Sequence, residues 1–163
     1  MREVRGDIWS LAHFHRDAIV IPTNIGYNKH GNAIMGRGLA AQASTRFQNL
    51  LHIYGELCIE FKADTPAHQL HVTGPSGGRW LILFPTKSFR ADRPEMSWQG
   101  KSDMKLIERG LHQLASMGPP QLNGKIYVPL LGCGRGGLRR EPVRELMDSI
   151  LKADHFVRIR SLH

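Results

Sequence analysis

The chain has few of the features that would place it in a membrane, in an oxidising compartment or among metalloproteins. Only two of its 163 residues are cysteines, and their contexts indicate neither a disulfide framework nor a Cys/His metal site. No apolar run approaches the ~18 residues of a membrane span, and the opening residues, MREVRGDIW, lack the hydrophobic region of a signal peptide. We therefore expect a cytoplasmic protein that holds no metal ion and makes no contact with a membrane.

Acidic residues are scarce relative to basic ones. The chain has 22 Lys and Arg against 14 Asp and Glu, which gives a net charge of +8 at pH 7 and an isoelectric point of about 10.0. So positive a field on a small protein favours polyanionic partners, because their binding releases counterions. The charge predicts contact with a nucleic acid or a nucleotide, although a merely basic protein would show the same balance.

Repeats, low-complexity tracts and linkers rich in proline or serine are also absent, so nothing in the sequence divides the chain. Its length fits one domain, and we expect a single domain over residues 1–163 that is a monomer. Hydrophobic residues make up 41% of the chain and charged residues 22%. These values are ordinary for a globular protein and exclude wholesale disorder.

Apolar runs and helical periodicities alternate along the chain. The pattern predicts an edge strand within residues 1–8 and further strands at 18–23, 70–73, 80–84, 125–131 and 155–160. It predicts helices from Gly38, over 50–61 with Phe61 on the buried face, after Ser102 as N-cap, and from Pro142 as first helical residue. This alternation is typical of an α/β protein with helices on both faces of a mixed, largely parallel sheet.

Three segments follow predicted strands at their carboxyl ends, which is where ligands bind in such sheets. They are residues 24–38, 85–90 and 132–138, and we expect them to open on one edge. The first and third are rich in glycine and precede helices, so their backbone amides can approach an anion closely. Two such loops at one edge predict a clamp on two phosphates, with ordinary helix entries as the alternative.

The string Gly132-Cys133-Gly134-Arg135-Gly136-Gly137 satisfies the G-x-G-x-x-G pattern of dinucleotide-binding units. That pattern should open the first βαβ unit and be followed by an acid at the tip of the next strand, and neither condition is met. The string therefore predicts phosphate binding without a Rossmann unit. A tight connection between a strand and a helix is the alternative.

A lysine ends the strand over residues 80–84, in the string Phe84-Pro85-Thr86-Lys87. Phe84 and Phe89 flank Lys87 in the sequence, and the expected phosphate site adds positive charge nearby. Desolvation and neighbouring cations both lower the pKa of an amine, as an amine nucleophile requires. Lys87 is thus a candidate catalytic residue, against the alternative of a solvated surface lysine.

Several of these strings occur together in a known order. They are Gly6-Asp7-Ile8, Pro22-Thr23-Asn24, Met35-Gly36-Arg37-Gly38-Leu39-Ala40, Phe84-Pro85-Thr86-Lys87 and Leu130-Leu131-Gly132-Cys133-Gly134-Arg135-Gly136-Gly137-Leu138. Together they resemble the macrodomain family, which binds and processes ADP-ribose. Within it they resemble the DarG-type DNA ADP-ribosyl glycohydrolases and the terminal ADP-ribose protein glycohydrolases. The resemblance covers essentially the whole chain and implies a three-layer α/β/α macrodomain.

The resemblance also implies roles for individual residues. Lys87 matches the lysine regarded as catalytic in this branch, and Asp7 would accept the adenine N6 amine. The implied ADP-ribose-binding set comprises Asp7, Ile8, Asn24, Gly36, Arg37, Gly38, Leu39, Thr86, Gly132, Cys133, Gly134, Arg135, Gly136, Gly137 and Leu138. No cofactor is implied, since ADP-ribose would be the ligand and the product.

One position distinguishes the two groups of glycohydrolases that the sequence resembles. Relatives that act on proteins have a catalytic aspartate where this chain has Gly136, whereas DarG-like sequences have glycine there. Together with the positive charge, this predicts lysine-dependent removal of ADP-ribose from a base in single-stranded DNA. It also points to a toxin as partner, which known DarG proteins bind through a second domain.

Three other functions stay open at this point. The chain could be a non-catalytic ADP-ribose-binding module, which needs only the two glycine loops and Asp7. It could hydrolyse ADP-ribosylated protein or ADP-ribose-1″-phosphate, in which case the basic surface is incidental. A plain nucleic-acid binder has the least support, because no aromatic-rich strand indicates base stacking.

Overall fold

The computed structural model describes residues 1–161; residues 162 and 163, the end of the expected single domain, lie outside it. The described part contains the strands β1 (Arg2–Arg5), β2 (Ala18–Asn24), β3 (His68–Gly74), β4 (Gly77–Lys87), β5 (Ile126–Pro129) and β6 (Phe156–Arg160). Its α-helices are α1 (Ile8–Leu11), α2 (Gly38–Arg46), α3 (Leu50–Phe61), α4 (Met104–Ala115) and α5 (Arg140–Ile150), with 3₁₀ turns at Lys62–Asp64 and Pro94–Met96. No helix among these residues combines the length and the apolar character that crossing a bilayer requires.

The six strands form one sheet in the order β1-β6-β5-β2-β4-β3. Every neighbouring pair is parallel except β3 and β4, which form an antiparallel hairpin. The predicted mixed, largely parallel sheet is therefore confirmed, as is the position of β1 at an edge.

Both faces of the sheet are buried, so the central strands are apolar on both sides. In β2, Ile19 and Ile21 pack with the apolar side chains of α1, α2 and α3. Ala18 and Val20 alternate with them and pack with α4 and α5 on the other face. The three-layer α/β/α arrangement of a macrodomain follows from this alternation.

Several local predictions are wrong in detail. The N-cap of α4 is Asp103 rather than Ser102, because the Asp103 carboxylate accepts hydrogen bonds from the first turn of the helix. Helix α5 begins at Arg140, which makes Pro142 its third residue; proline fits there because amides in a first turn have no intrahelical partner. Phe61 is 39% exposed, since α3 ends at that residue. The short helix α1, capped by Asp7, was not predicted.

The strand register fixes the place of the candidate site. Because β2 is parallel to both β4 and β5, the carboxyl ends of all three strands meet at one edge of the sheet. Asn24 at the end of β2 pairs in register with Lys87 at the end of β4, after a shift between Thr23 and Asn24. The chain segments that follow these strands therefore share an edge, as predicted.

Candidate functional site

A cleft of about 650 Å³ opens at this edge of the sheet. Four groups of residues line it: the end of β2, residues 34–40 before and within the start of α2, the end of β4 with Trp98, Gln99, Gly100 and Ser102, and Leu130, Gly132, Gly134, Arg135 and Gly136 after β5. The prediction that the three loops open on one edge is confirmed, and Lys87 faces the same cleft as the glycine-rich turn.

The turn over residues 132–138 is tightly folded. Gly132 and Gly137 have φ angles of +72° and +73°, in the left-handed region that glycine adopts most readily. The amide of Leu138 donates to the carbonyl of Gly132 at 3.0 Å. A Cβ atom at Gly136 would lie 2.1 Å from Ser102 Oγ and 2.5 Å from the carbonyl oxygen of Gly132. The packing therefore leaves no room for an aspartate at position 136.

The loop that leads from β2 into α2 presents the start of a helix to the cleft. Arg37 is the N-cap of α2 but its side chain makes no capping hydrogen bond, and Gly38 and Leu39 line the cleft. Asn24 holds this loop, since its Nδ2 donates to the carbonyl of Ile34 at 2.8 Å and its Oδ1 accepts from the amide of Gly26 at 2.9 Å. A helix start with a cation beside it is suited to an anion.

Lys87 is half-buried at the end of β4, and its Nζ donates to the carbonyl oxygen of Trp98 at 2.7 Å. Burial lowers the pKa of this lysine below its ordinary 10.5, and the charges of Arg37 and Arg135 lower it further. The predicted direction of this pKa shift is confirmed. Phe84, however, does not flank the amine, because it packs with the apolar side chains of α4 and α5 on the far face of the sheet.

No Asp, Glu or His lines this cleft among the residues that the structure describes. Asp103 lies near it but is engaged elsewhere, as the cap of α4 and as acceptor of a 3.0 Å hydrogen bond from Ser88 Oγ. Burial raises the pKa of Asp103, but the hydrogen bonds from Ser88 and from two backbone amides outweigh it, so that this pKa lies below its ordinary 3.8. Asp103 therefore stays ionised near neutral pH and is no proton donor.

A side recess adjoins the cleft, since Leu39 and Gly134 line both. Its other lining residues include Asp7, Ile8, Trp9, Gln42 and Arg46. The Arg46 guanidinium lies 4.5 Å above the Trp9 ring, and the Trp9 indole N–H donates to Gln42 Oε1 at 2.8 Å. Asp7 caps α1, where its carboxylate accepts from the amide of Trp9 at 3.1 Å. The recess thus has an indole in its lining and a carboxylate that can accept a hydrogen bond.

Most of the residues named from the sequence come together here. The cleft is lined by Asn24, Gly36, Arg37, Gly38, Leu39, Thr86, Lys87, Gly132, Gly134, Arg135 and Gly136, and the recess by Asp7 and Ile8. Cys133 and Leu138 line neither, because both pack against the apolar layer of α4 and α5. Gly137 is exposed but lies outside both linings.

Other lining residues were not predicted, among them Trp98, Ser102, Gln42 and Arg46. Trp98 and Phe89 are the two aromatic residues of an otherwise largely polar loop, and that contrast was the available signal. Gln42 and Arg46 are four residues apart on α2 and so share a face of the helix. Within residues 1–161, no three His, Cys, Asp or Glu side chains are grouped so that they could hold a metal ion.

Comparison with known proteins gives a consistent result, although no protein-family model matches the chain. A DNA ADP-ribosyl glycohydrolase of Thermus aquaticus is 27% identical over 121 residues, which cover 74% of this chain and 31% of the relative. The chain thus spans about a third of the length of the curated relatives it matches.

Two solved structures superpose along nearly the whole chain. The macrodomain of Thermus aquaticus DarG has a TM-score of 0.68 at 25% identity, covering 97% of this chain and 95% of that one. Thermosipho africanus DarTG in complex with ADP-ribose has a TM-score of 0.69 at 23% identity, covering 98% and 41%.

The sheet order, the buried layers and the cleft at the ends of β2, β4 and β5 are those of an α/β macrodomain fold. In both sequence and structure the chain is similar to DarG macrodomains.

Proposed function

We propose that this macrodomain is an ADP-ribosyl glycohydrolase that removes ADP-ribose from a base in single-stranded DNA, with Lys87 as the catalytic residue. The observation that carries the proposal is the composition of the cleft. Among the described residues that line it, Lys87 is the one cation that can become a neutral nucleophile, and its pKa is lowered. The names of the relatives, which are DNA ADP-ribosyl glycohydrolases, support the same reaction.

In the proposed complex, the side recess and the cleft receive the successive parts of ADP-ribose, from the adenine to the distal ribose. The adenine would occupy the side recess beside Asp7, with Ile8 and Trp9 against the ring. The diphosphate would then lie between the glycine-rich turn and the start of α2, where backbone amides, Arg37 and Arg135 offset its charge. This order brings the distal ribose to Lys87.

In the proposed reaction the amine of Lys87 acts on the anomeric carbon of that ribose. The amine adds to the carbon as the sugar ring opens, and the ring oxygen takes one proton from the lysine nitrogen. The bond to the base then breaks as the base takes the second proton from that nitrogen. Water then adds to the resulting lysine imine and releases ADP-ribose with the free amine, so each turnover consumes one water. Both arginines of the cleft stay charged throughout, so proton transfer falls to Lys87 and water.

The test is a Lys87→Ala variant assayed on an oligonucleotide that carries ADP-ribose on one base. Turnover should be lost while calorimetry shows affinity for free ADP-ribose within a few-fold of the wild-type protein. Lys87→Arg is the matched control, because it keeps the charge but supplies no nucleophile and should be equally inactive. Normal turnover by Lys87→Ala would overturn the lysine mechanism. If the wild-type protein acted on ADP-ribosylated protein but not on the modified oligonucleotide, the proposal that DNA is the substrate would be overturned.

A second candidate, a non-catalytic ADP-ribose-binding module, is favoured by the lack of a carboxylate among the described lining residues. A single-turnover assay separates the two, since a module would bind ADP-ribose and leave every conjugate intact. ADP-ribosylated protein and ADP-ribose-1″-phosphate belong in the same substrate panel. A monomeric state and a cytoplasmic location remain predictions from the sequence, and a toxin partner remains a prediction of the resemblance.

A further inference from the structure

Trp98 lies directly beside the candidate catalytic amine. Its backbone carbonyl accepts the 2.7 Å hydrogen bond from Lys87 Nζ, and the residue lines the cleft. Its indole is half-buried, and the exposed side chain of Arg37 places its Cζ 5.0 Å from the centre of the ring. The residue whose carbonyl holds the candidate nucleophile therefore also brings an indole, faced by Arg37, to the cleft.

The loop over residues 88–103, here named the Trp98 loop, holds this ring in place. At one end the amide of Asp103 donates to the carbonyl of Thr86 at 2.8 Å. In its middle Ser97 Oγ accepts from the amide of Arg90 at 3.0 Å. A Cβ atom at Gly26 would lie 2.3 Å from the carbonyl oxygen of Pro94, so the neighbouring loop is packed closely against this one. Trp98 thus belongs to a fixed part of the cleft.

We infer that Trp98 is a platform on which the departing base stacks, an inference that rests on the proposed function. The reacting carbon must come within bonding distance of Lys87 Nζ, and the leaving group is attached to that carbon. The leaving group is therefore held next to the residue whose carbonyl holds the amine. Arg37 is exposed, so it can move off the indole face toward a flanking phosphate. The base can then stack on that face.

The chemistry of this surface fits a nucleobase better than an amino-acid side chain. A nucleobase has a broad π-face that stacks on an indole, whereas the carboxylate of a modified glutamate or aspartate has none. Arg90, Arg93 and Lys101 on the Trp98 loop are exposed, as is Arg37 nearby. These cations suit the phosphates on either side of a modified nucleotide.

Binding measured without turnover tests the platform independently of the reaction. In a Lys87→Ala background, Trp98→Leu should weaken binding of an oligonucleotide with one ADP-ribosylated base by about 5- to 100-fold, the loss expected for one stacked base. Affinity for free ADP-ribose, which has no base on that carbon, should change less than about twofold. Trp98→Phe keeps a flat ring and should lose less. Trp80→Leu is the matched control, because Trp80 lies in β4 outside the cleft lining.

Two results would overturn the inference. One is equal affinity of the Trp98→Leu and parent proteins for the modified oligonucleotide. The other is an equal loss for free ADP-ribose or for an ADP-ribosylated peptide, which would make Trp98 part of the ADP-ribose site itself. Failure of the proposed function would give a different result. The wild-type protein would leave the modified oligonucleotide intact, while Trp98→Leu would still bind this oligonucleotide more weakly than the parent protein does.

Discussion

Arg135 shares the cleft with Lys87 and acts on it through its charge. Its positive charge disfavours the protonated amine, in addition to burial and the charge of Arg37. Replacing Arg135 by Gln should therefore raise the pKa of Lys87 toward its ordinary value.

The expected result is a shift of the rising limb of the pH–kcat profile to higher pH, with a lower kcat at neutral pH. Arg109→Gln is the control, because Arg109 pairs with Asp64 on the outside of α4 and does not act on the amine. An unshifted profile for Arg135→Gln would show that the free amine of Lys87 does not set the rate.

Gly136 and Gly134 lie in the same turn, but an added methyl group should destabilise the protein much more at Gly136 than at Gly134. In Gly136→Ala the new Cβ meets Ser102 Oγ and the Gly132 carbonyl at well under 3 Å, so we expect a loss of about 1–3 kcal/mol in the free energy of unfolding. A Cβ at Gly134 meets nothing within 4 Å, so Gly134→Ala should change this free energy by less than about 1 kcal/mol.

Urea denaturation of the two variants measures this difference, and a double variant locates its cause. Adding Ser102→Ala to Gly136→Ala removes one of the two close contacts and should restore part of the stability. Equal stability of the two single variants would mean that the turn relaxes without strain.

The positions of site residues were predictable where a residue's place follows from the end of a strand. Lys87 and the two glycine loops lie at the carboxyl ends of β4, β2 and β5, and parallel pairing alone brings those ends together. Trp98 was not predictable in this way, because it is ten or more residues from the nearest strand end and is positioned by contacts between loops. Arg46 faces the side recess only because α2 crosses above it.

At the scale of elements, the start of α4 depends on a single side chain. Asp103 Oδ1 accepts hydrogen bonds from the amides of Lys105 at 2.9 Å and Leu106 at 3.4 Å. Asp103→Ala should therefore cost about 1 kcal/mol of stability, whereas Asp103→Asn should keep most of the cap. Urea denaturation at neutral pH is the measurement, and an Asn variant as unstable as the Ala variant would contradict the capping role.

The cap also predicts a dependence on pH. The pKa of Asp103 lies below its ordinary 3.8 in the folded protein, so its contribution is fully present above the unfolded pKa. That contribution is lost as the pH falls through the folded pKa. The stability difference between the wild-type protein and Asp103→Ala should accordingly narrow in acid.

Element boundaries were harder to predict than element types. Ser102 and Asp103 are both good caps on propensity, and the choice between them is made by tertiary contacts. The amide of Ser102 donates to the carbonyl of Gly136 at 2.8 Å, and its hydroxyl is buried under the turn, so it cannot serve the helix. The same limit applies to Pro142, whose residue type fits any position in the first turn of α5.

For the whole molecule, the excess of positive charge predicts how binding responds to salt. Five exposed cations lie in or beside the cleft-lining segments: Arg37, Arg90, Arg93, Lys101 and Arg135. If three to five of them contact phosphates, log affinity for a modified single strand should fall with log salt at a slope of about −2 to −3.5.

Fluorescence anisotropy of the labelled oligonucleotide between 50 and 200 mM salt, about the range over which such losses are large, gives that slope. Free ADP-ribose has only two phosphates and should show a much weaker dependence. A flat response for the oligonucleotide would mean that the basic surface does not bind DNA.

The overall architecture followed from the sequence more completely than the site did. Runs such as Ile19 to Ile21 are apolar on both faces of the sheet, which is a local signal for a strand between two helical layers. The two strands of the antiparallel hairpin, β3 and β4, were predicted as apolar runs at residues 70–73 and 80–84. What the sequence could not supply was the packing of one loop on another, which depends on the whole fold.

The hydrogen bond from Ser102 to Gly136 and the contact of Gly26 with Pro94 join the three loops to one another as well as to the sheet. The backbones of these loops are therefore already held together before a ligand binds. If the chain acts as proposed, little interaction free energy is spent on ordering the loops, and more of it is available at the bond that breaks.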